Sequence, residues 1–465
     1  LGTNSIKDTG FDVANSLRFN SGSSDYLNNT SVASVTNRLK FTISLWVKRS
    51  TLGAKSMIGT VGGDSTNFGA IWFDSSDRLN CTEGSGGGTL NFITNRVFRD
   101  VSAWYNIILA IDTTQGTESN RVKIYVNGVQ ETSFSTSTYP SQNSNMHLNR
   151  GGKTQYIGRH TDSSNNYYFD GYMTVVWVDG SQEAVTSFGE FDSDSGIWKP
   201  IDVSGLTFGN NGFYLDFEDS SALGNDAAGS NNFTVNNLTA IDQSTDTCTN
   251  NSATIGTLFM ALNTPTFSEG NLQSYSSAAG LSVIPSSIGL ASGKWYAELK
   301  YAATSSNDNT GIGITMDPAS SNQQNTEQGG YTFGYAASTG GYTPYQANQS
   351  GSGPTYTVGN IMGIYMDLDN MKLYFSKNGT LNSSTGLTIN VSNTGFYYFC
   401  VQDYTSTSNF WTWQWNFGAG CPFAISSGNT DANGYGNFEY SPTITGDGAS
   451  KDFFACNTKN LAEYG

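Results

Sequence analysis

The sequence predicts an all-β protein built as two antiparallel β-sandwich domains in tandem, with few short helices. Three observations lead there. Aromatic residues make up 13% of the chain and charged residues also 13%, about half of the ~25% charge content usual in soluble domains. Short β-branched and aromatic runs recur about every ten residues between clusters of Gly, Ser, Thr and Asn, with no long stretch of helical period. The length of 465 residues exceeds one core at roughly 100–200 residues per domain, and two cores are the simplest division.

The stretch VKIYVNGVQ (Val122 to Gln130) shows the pattern at its clearest. Alternation puts Val122, Ile124 and Val126 on one face and Lys123 and Tyr125 on the other, and Asn127-Gly128 supplies the positive φ angles of a tight hairpin turn. MKLYFSKNGTL (Met371 to Leu381) repeats the phrase, with Met371, Leu373 and Phe375 as the buried face and Asn378-Gly379 as the turn. Convergence of half-buried hairpins and duplication both account for the likeness. Around the first hairpin, FTISLWVKRS (Phe41 to Ser50), WYNIILAIDTT (Trp104 to Thr114) and YFDGYMTVVWVDG (Tyr168 to Gly180) read as strands packed face to face. In FWTWQWNF (Phe410 to Phe417), Trp411, Trp413 and Trp415 share one face and are assigned to the core.

Charge and motif content exclude several functions. With 22 basic and 38 acidic residues the net charge is −16, which opposes nucleic-acid phosphates and anionic membranes. No apolar run approaches the ~20 residues of a membrane span, and the first residues lack the form of a signal peptide, so a soluble chain is expected. Cys81, Cys248, Cys400, Cys421 and Cys456 are far apart and form no CxxC pair, indicating neither a disulfide scaffold nor a zinc site. The histidines, His147 and His160, stand near no GxSxG or HExxH motif. Asp367 and Asp369 in YMDLDN, placed by alternation on one strand face about 7 Å apart, remain as a carboxylate pair within the ~5–10 Å of glycosidases; a non-enzymatic protein is expected. In FGEFDSDSGIWKP, Asp192 and Asp194 suggest a calcium loop, but Val203 stands where an EF-hand needs glutamate.

Over residues 11–180 the motifs FTISLWVKRS, WYNIILAID, VKIYVNGVQ, YIGR and FDGYMTVVWVDG resemble, in order, laminin-G-like and pentraxin-like domains. The resemblance implies a concanavalin-A-like jelly roll that binds glycans, proteins or calcium through loops at one edge. The family's two calcium loops fall on VGGDSTNFG and GRHTDSSNN, which carries over Asp64 and Asp162 as metal ligands. His160 and Thr161 stand where the family's second loop is richer in acids, and two solvated loop aspartates are the other reading.

Residues 181–250 read as a connecting segment that packs on or between the sandwiches. Over 251–425, GKWYAELKY, the TGIGITM strand, GNIMGIYMDLD and LYFSKNG are similar to SPRY domains, which implies recognition loops without chemistry. Residues 426–465 form a C-terminal extension. The tyrosine-rich stretch GYTFGYAASTGGYTPYQANQSG makes Tyr342 and Tyr345 candidate sugar-stacking residues, with strand-face packing of its tyrosines as the alternative. Taken together, the order of motifs is similar to tail-fibre-like or appendage proteins of marine bacteriophages. That implies a virion-surface location, a host-surface polysaccharide or envelope protein and other virion proteins as partners, and a homo-oligomer, with a trimer as the expectation. A structural decoration protein or a glycan-degrading enzyme is the alternative.

Overall fold

The structure, a computed structural model, describes residues 10–32, 34–61, 68–84, 89–161, 166–258, 265–277, 280–305, 310–316, 318, 332–336, 342–343, 354–392, 394–405, 410–445 and 450–465. The chain divides into two compact units, Asp8–Thr249 and Asn250–Gly465.

In the first unit the strands begin with β1 (Ser16–Phe19), β2 (Tyr26–Thr30), β3 (Lys40–Arg49), β4 (Lys55–Val61), β5 (Phe68–Phe73), β6 (Arg78–Glu83) and β7 (Leu90–Val97). They continue with β8 (Trp104–Asp112), the short helix α1 (Glu118–Arg121), β9 (Val122–Val126), β10 (Val129–Gln130), β11 (Phe134–Thr138), β12 (Thr154–Ile157), β13 (Arg159–Thr161), β14 (Asn166–Tyr168) and β15 (Gly171–Asp179). After these come β16 (Gly189–Phe191), β17 (Trp198–Pro200), β18 (Phe213–Leu215), β19 (Thr234–Asn236) and β20 (Gln243–Ser244). Two sheets face each other, ordered β10-β9-β8-β3-β15-β1-β20, with β18 also on β15, and β11-β7-β6-β5-β4-β12-β2-β19. Between them lies one core, in which Phe41, Ile43, Leu45 and Val47 of β3 meet residues such as Leu27, Ile58, Ile71 and Phe92 of the other sheet.

Alternation in β3 leads one to expect a solvated outer face, yet Thr42, Ser44, Trp46 and Lys48 are buried as well. The cover is supplied by residues 181–249, which belong to this unit. Phe188 and Val203 pack with Ile108, Val176 and Val178, and Trp198 packs with Trp46, Trp104 and Tyr172. The indole of Trp198 donates to Asn106 Oδ1 at 3.0 Å, and the Arg18 guanidinium meets Asp242 Oδ1 at 2.9 Å. Deeper in the same layer, Lys48 Nζ lies 2.7 Å from Asp246 Oδ2.

The second unit repeats the plan. Among the described residues, a nine-stranded sheet centred on Lys294–Thr304, flanked by Ile361–Asp367 and Trp411–Asn416, faces a five-stranded sheet that includes Thr310–Thr315 and Tyr398–Thr405. Trp411, Trp413 and Trp415 sit in the core between them, as their shared parity requires. The outer face of the larger sheet carries Tyr296, Tyr365 and Tyr374, which Phe438, Ile444, Phe453 and Ala455 cover. Glu298, on that same face, accepts from Tyr296 Oη, Asn416 Nδ2 and the main-chain N–H groups of Glu439 and Tyr440. The chain ends in α2 (Thr458–Tyr464), capped by the Asn457 side chain.

Both Asn-Gly pairs form the hairpin turns their sequences predict. Asn127 and Gly128 have φ of 48° and 77°, and Asn378 and Gly379 have 47° and 76°, the left-handed pair that a type I′ turn needs. Each asparagine also accepts a strand N–H, from Asn106 at 2.7 Å and from Ile361 at 2.9 Å. Each glycine is then roofed by a ring: a Cβ on Gly128 would lie 2.2 Å from Trp198 Cε3, and one on Gly379 would lie 2.5 Å from Tyr440 Cδ1. Gly128→Ala is therefore expected to destabilise the first unit by about 1–3 kcal/mol, through the positive φ and displacement of the indole together. Urea unfolding checks this, and a loss within ~0.3 kcal/mol of zero would contradict it.

Candidate ligand-binding face of the first unit

The described stems of the two sequence motifs lie side by side on the sheet. Residues 62–67 follow the end of β4, where Val61 pairs with Phe68, and residues 162–165 join Thr161 to its partner Asn166 in the β13–β14 hairpin. That hairpin crosses the outer face of β4 at Gly59, where a Cβ would lie 2.8 Å from Arg159 O and 3.0 Å from His160 Cα. Glycine is what allows the close approach. At the stems, the Phe68 and His160 rings lie 5.2 Å apart and His160 stacks on Tyr167 at 6.1 Å.

Beside the stems, three tyrosines gather around one arginine. In β12, Tyr156 is opposite Asn28 of β2 and Gly59 of β4, so it points away from the core face marked by Ile157, Leu27 and Ile58. Tyr26 of β2 shares that outward parity. The Arg159 guanidinium sits 4.7 Å from the Tyr26 ring, 4.9 Å from Tyr156 and 5.6 Å from Tyr168, within the ~6 Å of a cation–π contact. Tyr26 lies 5.9 Å from Tyr156 and 6.2 Å from Tyr168. Arg159 Nη2 donates to Asn166 Oδ1 at 2.6 Å, whereas Nε has no hydrogen-bond partner among the described residues. Asn236 Nδ2 donates to Asn28 Oδ1 at 2.7 Å. All three rings are half-buried, which leaves an aromatic, amide-fringed surface with one cation at its centre.

Asp64, Asp162 and Tyr345 lie outside the described residues. Tyr342 lies in a two-residue strand whose backbone pairs with Tyr335, and its side chain is not described. Among the described residues no group of three His, Cys, Asp or Glu is placed to hold a metal ion. At the described stems, Asn166 Oδ1 accepts from Arg159 Nη2 and His160 stacks on Tyr167. Asp367 and Asp369 of YMDLDN do not share a strand face: the second acid belongs to a turn, as the SPRY resemblance also implies. Asp367 ends its strand fully buried and accepts from Asn370, but Asp369 lies in the following turn, accepting from Gly293 N at 2.8 Å. The turn residues Leu368–Met371 break the alternation that put both acids on one face.

Tyr26, Tyr156, Tyr168 and Arg159 were not singled out in the sequence. They converge from four strands, β2, β12, β13 and β14, spread over more than a hundred positions, and each alone reads as the solvent-side residue of a strand.

Comparison with known proteins agrees with the sandwich. Residues 21–181 match the concanavalin A-like lectin/glucanases superfamily. That is about a third of the chain. No curated protein matches. Among solved structures, the SPRY domain of human HERC1 is 16% identical, with 31% of this chain and 87% of that chain covered and a TM-score of 0.25. A putative carbohydrate binding protein from Bacteroides ovatus is 17% identical, covering 49% of this chain and 59% of its own, with a TM-score of 0.34. A pentraxin from Limulus polyphemus is 13% identical, covering 38% and 80%, with a TM-score of 0.29. At these scores the structural likenesses carry no argument about function. No helix among the described residues is long and apolar enough to cross a membrane.

Proposed function

We propose that the chain is a non-enzymatic recognition protein whose first sandwich binds glycan on the tyrosine–arginine face, and that it serves as a virion-surface attachment protein for a bacterial polysaccharide or envelope protein. The observation that carries the reading is the cluster of Tyr26, Tyr156 and Tyr168 around Arg159. Tyrosine faces stack on the apolar face of a pyranose ring, and guanidinium and amide groups bond its hydroxyls. The match of residues 21–181 to a lectin-containing superfamily supports it. The virion setting rests on the resemblance of the motif order alone.

Purified chain applied to an array of bacterial surface polysaccharides tests the reading, with calcium and again with a chelator. Selective binding is expected, weakened about fivefold by Tyr156→Ala or Tyr168→Ala, the factor that corresponds to ~1 kcal/mol of stacking. Loss of binding with the chelator would assign a calcium role to residues 62–67 and 162–165. A folded chain that binds nothing on the array would favour a structural virion component.

A further inference from the structure

On the opposite edge of the same sheet, the sandwich core ends on Phe92, Val122 and Ile124, which are 1%, 3% and 2% exposed. Strand β9 of one sheet and β11 of the other are near the free edges, and between them lies a cleft of about 220 Å³ lined by Phe92, Val122, Ile124, Phe134, Tyr139 and polar rim residues. Phe92 is its floor. Phe134 and Tyr139 stand edge-to-face against it, at 5.1 Å and 79° and at 4.9 Å and 83°. Ser137 is the cross-strand partner of Phe92, so it faces the same interior side, at the mouth.

We propose that this cleft is a second binding site, independent of the tyrosine–arginine face, that takes one uncharged sugar ring. Four features select that ligand. The volume is below the roughly 300 Å³ at which drug-sized pockets begin, the scale of a single ring. Aromatic walls suit the apolar face of a pyranose. The rim side chains of Gln130, Thr132 and Ser137 and the Tyr139 hydroxyl make no hydrogen bond among the described residues, so donors and acceptors are available for ring hydroxyls. The charged groups nearby disfavour an anion. Glu131, lining the cleft, is 8% exposed and accepts from Arg96 Nε and Ser133 N, each at 3.0 Å. Glu118 of α1 acts on Tyr139, whose hydroxyl pKa is raised by burial and by that charge. The nearby Arg121 is spent on the main chain, donating to Gln115 O, Gly116 O and Pro140 O. Those bonds fix the segment that carries Tyr139, so the wall is preorganised.

The cleft and the tyrosine face are separated by five to six strands along the sheet, or ~24–29 Å at 4.8 Å per strand. One unit would therefore hold a polysaccharide at two points, which raises avidity for long chains over short ones.

Saturation-transfer NMR on the whole chain tests the cleft, with glucose, galactose and mannose as probes and N-acetylneuraminic acid as the anionic counterpart. Transfer to at least one neutral hexose is expected, reduced at least fivefold in Gln130→Ala/Thr132→Ala, which alters only exposed rim positions, and in Tyr139→Phe, which keeps the packed ring. Transfer to none of the hexoses, transfer unchanged in both variants, or preference for the anionic sugar would each overturn the proposal. A signal that vanishes with Tyr156→Ala instead belongs to the other face and would overturn it too, while leaving the first reading standing.

Discussion

Asp246→Ala is expected to destabilise the first unit by about 3–5 kcal/mol, the range found when one partner of a buried ion pair is removed. The Lys48 and Asp246 side chains are 1% and 3% exposed and lie 2.7 Å apart. Asp246 Oδ1 also accepts the Trp104 indole N–H at 3.0 Å, and its main-chain oxygen accepts from Ser16 Oγ at 2.7 Å. Alanine keeps the last of these and deletes the other two, taking the carboxylate away from an ammonium buried beside Trp46, Trp104 and Tyr172. Replacing the pair together, as Lys48→Met/Asp246→Leu, is expected to cost far less, because no charge is then left behind. Urea unfolding of the two variants separates the cases. A single-variant loss below about 1 kcal/mol would mean that water reaches Lys48 and that the covering layer is looser than the structure shows.

Stability is also expected to fall as the pH rises from about 5 to 8. Burial pushes Glu83 up to about 7, against the main-chain N–H groups of His147 and Leu148 that it accepts and the nearby Arg38. Burial likewise pushes Glu298 up to about 7, against the N–H groups of Tyr440 and Glu439 and the side chains of Tyr296 and Asn416. An unfolded glutamate titrates near ~4.3. Below that value both states hold the proton and the native advantage is complete. Between ~4.3 and 7 the unfolded chain has lost its proton while the native chain keeps it, so stability declines with pH until the folded groups have ionised. Each glutamate contributes on the order of 3 kcal/mol across that window, one in each unit. Asp74 and Asp77 work oppositely: although burial opposes it, hydrogen bonds from Arg78 and Ser76 to Asp74, and from Gly53 and Arg99 to Asp77, hold them below the ordinary carboxylate range. Their contribution is present above pH ~4 and is lost as the pH falls through their lowered values. Optimal stability is therefore expected near pH 4–5. Urea midpoints that are flat or rising between pH 5 and 8 would show that both buried carboxylates stay ionised at the lower pH.

The hairpins and core faces were legible because they are local. Period-two alternation and an Asn-Gly pair determine both turn and parity, and Asn127-Gly128 and Asn378-Gly379 adopt the φ values that follow. The tryptophans of Trp411–Asn416 were placed in the core by the same parity. Burial of Thr42, Ser44, Trp46 and Lys48 was not legible, since the residues that cover them come 140 to 200 positions later and alternation reports only which face, never what lies over it. For the same reason the sequence pointed to loop residues by motif, yet the described surface beside those loops is built from Tyr26, Tyr156, Tyr168 and Arg159, which only the sheet register brings together.

Both units finish with a segment laid over an outer sheet face, and in the first the closing strand β20 pairs with β1, Ser16 opposite Ser244. During synthesis, the face bearing Trp46, Trp104 and Tyr172 therefore waits uncovered until some seventy further residues have left the ribosome, several seconds at ~5–20 residues per second. A ring closure of that span is slow on entropic grounds as well. The nascent first unit thus passes through an interval with an indole-rich face open to other chains, and its completion is set by the arrival of Trp198 and Asp246 rather than by the assembly of the sandwich itself.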